Sequence, residues 1–201
     1  MNFNLDQNNR NAKWQNTGTR TLPNSVFILS DKERAPDIGK IINCAPKNAK
    51  IIIRNHKVCA FSHLITSSNR KQILATIAPK EALGLGILGV HIPNARLKYF
   101  RQCQRHDLKI TVSAHNGHEV CRALRANIRT ILISPIFKSD SPSVFKPFVK
   151  PLGPIRMAIL ARRFKKAQFV ALGGINHKTA KRLKRAGVKA IAGVSFLKTP
   201  A

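Results

Sequence analysis

The sequence predicts one α/β domain folded as a (β/α)8 TIM barrel, with a truncated last helix and a flexible N-terminal arm. Three observations carry this. Eight apolar runs of strand length recur between residues 25 and 196, each followed by helical sequence, the last only by a stub. The runs are continuously apolar, as in parallel strands covered on both faces. The stretch AQFVALGGI (167–175) ends in Gly173–Gly174 and leads through KTAKRLKRAG into KAIAGVSF (189–196), a complete strand–helix–strand unit. A chain of 201 residues is long enough for one such core. An open doubly wound sheet is the alternative use of the same elements.

The elements follow in order. SVFILS (25–30) is the first strand and DIGKIINCA a short helix. AKIIIRNH (49–56) is the second strand, followed by AFSHLITSS, a weak helix. QILATIA (72–78) is the third, and Pro79 stands where a helix begins. LGVHIP (88–93) is the fourth, with ARLKYFRQCQRH helical after it. KITVSAH (109–115) is the fifth, with GHEVCRALRANI after it. RTILISPIF (129–137) is the sixth; a Pro- and Ser-containing loop then precedes the helix IRMAILARRFKK. In the helix after the seventh strand, Asn176 is a cap. Ala180 and Leu183 fall on the inner face, and Lys178, Lys181, Arg182 and Arg185 on the outer one. The helices after strands two, three and eight are short. They leave apolar barrel surface for a second copy of the chain or the arm to cover, so a homo-oligomer is one expectation.

Charge is the unusual feature. Thirty-six Lys and Arg oppose eight acids, and no carboxylate follows Asp140. Aromatic residues are few and not interleaved with the cations, so no stacking platform for nucleic acid is present. The expectation is weak, non-specific, salt-dependent binding of polyanions. No apolar run reaches the ~20 residues of a membrane span. Residues 1–24 are rich in Asn, Gln and Thr, have no apolar leader, and form a polar arm ahead of the barrel domain at 25–201. Cys44, Cys59, Cys103 and Cys121 are scattered, as expected of free thiols in a cytoplasmic protein.

A parallel barrel presents its chemistry at the C-terminal ends of its strands. Here those ends carry Asp31, Arg54, Lys57, Thr76, His91, Ser113, His115, Ser134, Gly173–Gly174 and Gly193–Ser195. Basic and small polar groups favour an anionic, phosphate-bearing small molecule, with Arg54 and Lys57 as direct contacts. Two glycines ahead of a helix let backbone N–H groups approach a phosphate. A valine at either glycine is expected to remove the ligand and leave the fold. Arg54 has a second reading, as the ion-pair partner of Asp31. His91 reads as a packed residue of the barrel mouth, and Glu119 as a first-turn helix residue.

The ordered set GVHIP, ITVSAH, ILISPIF, ALGGIN and AGVKAIAGVS resembles the thiamine phosphate synthase/TenI superfamily of (β/α)8 barrels, from about Val26 to Leu197. That resemblance implies a protein of thiamine metabolism binding a phosphorylated thiazole. Gly173, Gly174, Val194 and Ser195 would hold the thiazole phosphate, with Arg54 and Ser113 near a pyrophosphate. Lys57 stands one residue beyond the family's lysine, and His115 stands where the tautomerases place an acid/base histidine. The synthases use Mg²⁺, the one cofactor to expect if synthase activity is retained. However, Thr76 and Ile77 occupy the family's Asn-Asp pair, Arg96 its second metal-binding Asp, and Ser139–Pro142 its Thr-x-Thr-Lys loop. No metal ligand is therefore assigned. His115, the catalytic candidate, suits a thiazole tautomerase better than a synthase-type transferase. A non-catalytic barrel that binds phosphate ligands or polyanions is the alternative.

Overall fold

The computed structural model describes residues 25–31, 35–54, 57–104, 106–139, 150–194 and 196. Its strands are β1 (Ser25–Leu29), β2 (Lys50–Ile53), β3 (Ile73–Ala75), β4 (Gly89–Ile92), β5 (Lys109–Ala114), β6 (Thr130–Ile133), β7 (Gln168–Ala171) and β8 (Ala190–Gly193). They pair in sequence order, and β8 returns to β1 in parallel, with Ser25 opposite Ala190 and Ile28 opposite Gly193. The barrel is closed, and the doubly wound alternative is set aside.

Strand alternation divides the apolar residues into layers. Phe27, Leu29, Ile52, Leu74, Leu132, Val170, Ala190 and Ala192 fill the lumen as one cluster. Their neighbours, among them Ile28, Ile51, Ile131 and Phe169, pack outward in two clusters beneath the surrounding segments. Two strands differ. On β4 and β5 the outward positions are Val90, Ile92, Val112 and Ala114. His91, Thr111 and Ser113 therefore face the lumen, where the other strands place aliphatic groups.

The helices are α1 (Ile38–Cys44), α2 (Pro79–Gly84), α3 (Phe100–Gln104), α4 (Gly117–Arg125), α5 (Gly153–Arg163) and α6 (His177–Lys181). Helices this short are marginal alone and depend on packing against the barrel. Local capping sets where they begin. Asp37 accepts from Lys40 N, Asn116 from Glu119 N, and Asn176 from Lys178 N and Thr179 N. Ala180 and Leu183 are buried and Lys178, Lys181, Arg182 and Arg185 exposed, as the period predicts.

Three helical expectations change form. AFSHLITSS (60–68) makes the 3₁₀ turn Ser62–Leu64, preceded by another at Val58–Ala60, because it lacks a helical apolar stripe and is anchored by the fully buried Phe61. The segment after β4 begins as 3₁₀ helix, Asn94–Tyr99, with a break at Arg96. The segment after α6 tightens into turns in which Arg182 N donates to Thr179 O and Leu183 N to Ala180 O. The N-terminal arm (1–24) and the truncated last helix lie outside the described residues. Among the described residues no helix is long and apolar enough to cross a membrane.

Candidate functional site at the barrel mouth

The site is assembled from three groups of side chains along the C-terminal rim. The first is polar and buried. His91 Nδ1 lies 2.9 Å from Thr111 Oγ1, and its Nε2 lies 2.9 Å from Ser113 Oγ. Both ring nitrogens are thus held by hydroxyls, one as donor and one as acceptor. Burial, with the charge of Arg54 as the lesser cause, lowers the His91 pKa to about 3, so the ring is neutral. It packs at the mouth, as the sequence suggests. Its hydroxyl partners escaped sequence reading, because β4–β5 register sets His91 opposite Thr111.

This buried histidine makes stability depend on pH. Unfolded, it titrates near 6.5; folded, near 3. Between those values the unfolded chain binds a proton that the folded chain refuses. The stability is complete above about pH 6.5 and is lost as pH falls toward 3, at about 1.4 kcal/mol per pH unit. Lowering the pH from 6.5 to 5 is expected to cost about 2 kcal/mol from this group. Urea unfolding of wild type and His91→Gln at both pH values checks it. The variant is weaker at neutral pH but loses less stability on acidification. Equal losses in the two proteins exclude His91 as the source.

The second group surrounds Arg54. Its backbone N–H donates to Ser30 Oγ at 2.8 Å, its Nε to Ser30 O at 3.1 Å and its guanidinium to Asp31 Oδ2 at 3.2 Å. The ion-pair reading of Arg54 holds, and the buried Ser30 fixes its stem. Beyond it lies a cavity of about 600 Å³ whose wall includes Lys57, Thr76, His91, Glu81 and Arg96. The Thr76 hydroxyl is buried there without a hydrogen-bond partner, an arrangement that costs about 1–3 kcal/mol. Glu81 accepts from Ala78 N at 2.8 Å, so its carboxylate serves the start of α2.

The third group joins β5, β6 and β7. His115 Nδ1 donates to Ser134 O at 2.7 Å, and Ser134 Oγ lies 3.3 Å away. The backbone N–H of His115 donates to Glu119 Oε2 at 2.8 Å. With its proton on Nδ1, a neutral ring carries its basic lone pair on Nε2. Glu119 occupies the first turn of α4, as expected, and also fixes the loop bearing His115.

Gly173 (φ +91°) and Gly174 (φ +64°) turn through conformations that suit glycine. A Cβ on Gly174 would stand 2.3 Å from Lys138 O, and one on Gly173 3.0 Å from Pro135 Cα. The pair is thus packed against the segment after β6, where Phe137 N donates to Gly173 O and Ile136 N to Leu172 O. This corrects one expectation: valine here would disturb the fold as well as the ligand. Asn176 already satisfies the first N–H groups of α6. Among the described residues, the N–H groups of Gly174 and Ile175 have no hydrogen-bond partner. Val194 is buried at the end of β8. Ser195, Asp140 and most of the loop after β6 lie outside the described residues.

Residues 64–197 match the family model described as thiamine monophosphate synthase. The chain belongs to that family. No curated protein sequence matches it. Among solved structures, thiamine phosphate pyrophosphorylase from Pyrococcus furiosus is similar with a TM-score of 0.63 and 16% identity, over 85% of each chain. The 2-keto-3-deoxy-6-phosphogluconate aldolase of Zymomonas mobilis, solved with 3-phosphoglycerate, gives 0.58 and 14%, over 84% of this chain and 80% of that one. A glycerol uptake operon antiterminator-related protein from Thermotoga maritima gives 0.59 and 12%, over 88% and 98%. At these identities the structural likenesses show the shared barrel; the family match adds thiamine-related membership.

Among the described residues, those around this cavity do not fit the family's Mg²⁺. Among the described residues no three His, Cys, Asp or Glu side chains converge. The carboxylate beside the cavity is engaged by Ala78, and Lys57 and Arg96 add positive charge. Mg²⁺ requires oxygen ligands, carboxylates foremost.

Proposed function

We propose that this protein binds a phosphorylated thiazole-type ligand of thiamine metabolism at the barrel mouth and acts on it by proton transfer rather than metal-dependent synthesis. The phosphate is assigned to the Gly173–Gly174 turn, with Val194 and Ser195 after β8. The N–H groups of Gly174 and Ile175 supply donors, and the net charge of +28 favours an anion. The phosphate-bearing ligand of the Z. mobilis aldolase supports placing such a group on this fold.

The observation that carries the reading is the fixed imidazole of His115. Ser134 O holds Nδ1 protonated, Glu119 holds the backbone, and Nε2 remains as the base. His115 takes a proton from one carbon of the bound heterocycle and returns it at another, a task needing one positioned acid/base group. Ser113, whose hydroxyl meets His91, and Arg54, held by Asp31, line the polar side of the same mouth. A barrel that binds the ligand without turning it over is the alternative, and the exposed cations around α6 favour weak polyanion contacts in addition.

The test is ligand-dependent melting. The thiazole phosphate at ~100 times its Kd is expected to raise Tm by roughly 5–10 °C, and the unphosphorylated thiazole alcohol far less. With the pyrimidine pyrophosphate and Mg²⁺ added, little thiamine phosphate should form. Equal stabilisation by the alcohol removes the phosphate assignment, and robust Mg²⁺-dependent synthesis overturns the proton-transfer reading.

A further inference from the structure

We infer that the groove between α5 and the segment after α6, on the outside of the barrel, docks an acidic amphipathic segment of another protein. None of its residues belongs to the barrel mouth, so it stands or falls independently of the proposed function.

The helix α5 is apolar on two faces. Met157 is fully buried in the core, and Leu160 and Ala161 pack against that core. Ile155 and Ile159, one turn apart, are 76% and 61% exposed. Apolar side chains scattered singly over a surface are ordinary. These two line one groove of about 340 Å³, with the smaller Ala158 and Ala186 between them and the neighbouring segment. The groove has a fixed shape because its two sides touch. A Cβ on Gly187 (φ +72°) would stand 2.5 Å from Ala161 Cβ.

The other lining residues are cations: Arg162 from α5, and Arg182 and Arg185 from the segment after α6. Arg182 is held in place, with Cζ 5.2 Å from the centroid of the Phe137 ring. No carboxylate follows Asp140, so neither side of the groove supplies a countercharge of its own. Apolar anchors beside arginines complement a segment with an apolar stripe and acidic flanks. Charge also decides against the nearer occupants. A second copy carries the same net charge of +28, and a two-fold contact would set these arginines against themselves. The arm at 1–24 brings Arg10, Lys13 and Arg20 against the single Asp6. Nucleic acid would answer the cations and leave both isoleucines unmatched. A lipid surface is flat where this face is hollow.

The experiment selects peptides of about 16 residues from a displayed random library on the full chain, in about 0.15 M salt to screen diffuse charge. Fluorescence anisotropy then measures the selected peptides. They are expected to bind with Kd of roughly 1–100 µM and to carry apolar residues at i and i+3 or i+4 among Asp and Glu. Ile159→Gln and Arg185→Gln should each weaken them roughly tenfold or more. Lys40→Gln and Lys80→Gln remove the same charge from α1 and α2 and should leave binding unchanged. All four positions are exposed, and unchanged Tm values verify that the variants fold. A selection that yields no binder, peptides without acids, or peptides that bind Ile159→Gln and Arg185→Gln as well as wild type each overturn the inference. So do three results that name another occupant: a dimer in light scattering that Ile159→Gln dissolves, or binding of phosphatidylserine vesicles or of an oligonucleotide that the same change abolishes.

Discussion

Gly174→Ala is expected to lower stability by roughly 2–4 kcal/mol, a fall in Tm of roughly 5–15 °C for a chain of this size. Two costs add. At φ +64° an L side chain enters the left-handed region, which costs about 1–2 kcal/mol. The new Cβ would also stand 2.3 Å from Lys138 O and 2.8 Å from Phe137 Cβ. The first contact is backbone, so the segment after β6 must move and cannot merely rotate a side chain away. That movement strains the bonds from Ile136 N to Leu172 O and from Phe137 N to Gly173 O. Gly173→Ala, with its nearest contact at 3.0 Å, should cost less. Differential scanning calorimetry of the two variants gives the order directly. A Gly174→Ala protein as stable as wild type would show that the turn is not pinned to β6. Ligand affinity is expected to fall with stability here, so neither glycine variant alone identifies a binding residue.

His115→Asn is expected to lower any thiazole isomerase turnover by roughly 10²–10⁴-fold, the range of a lost general acid–base. The replacement keeps a polar side chain but removes the basic Nε2. Because His115 is exposed, its removal should leave Tm nearly unchanged, and thiazole phosphate should still bind. A fall in kcat with little change in KM is the signature of a group acting in the transition state. Ser134→Ala provides a contrast. The bond that fixes Nδ1 goes to the Ser134 carbonyl, which the substitution keeps, so only the weaker 3.3 Å hydroxyl contact is lost. Its effect should be small. Turnover that survives His115→Asn would place the proton transfer on another residue.

The family membership and the barrel bring an expectation of Mg²⁺ that the donor set among the described residues does not meet. The positions of Thr76, Ile77 and Arg96 are visible as departures in the sequence, and the structure shows what stands in their place. Thr76 and Arg96 share one cavity with Lys57, and its one carboxylate is spent on a helix start.

The architecture was legible in the amino-acid order because it depends on local periodicity. Continuous apolar runs such as ILIS and FVAL can be satisfied only with both faces covered, and eight of them close a barrel. Caps are equally local: Asn176 and Asp37 bond to residues two or three positions on. The rim positions of His115, Ser113, Arg54 and the two glycines follow from where the apolar runs end. What tertiary structure alone decided depends on register between strands and on contacts across the mouth. Only the pairing of β4 with β5 puts His91 between Thr111 and Ser113 and takes it from water. Only the adjacency of β6 and β5 gives His115 the Ser134 carbonyl that sets its tautomer. Only packing across β6 and β7 shows that Gly174 is excluded from bearing a Cβ by Lys138. Sequence patterns record what each residue needs from its own segment. The partners that satisfy a buried polar group come from distant segments, and closure of the barrel brings them within hydrogen-bond distance.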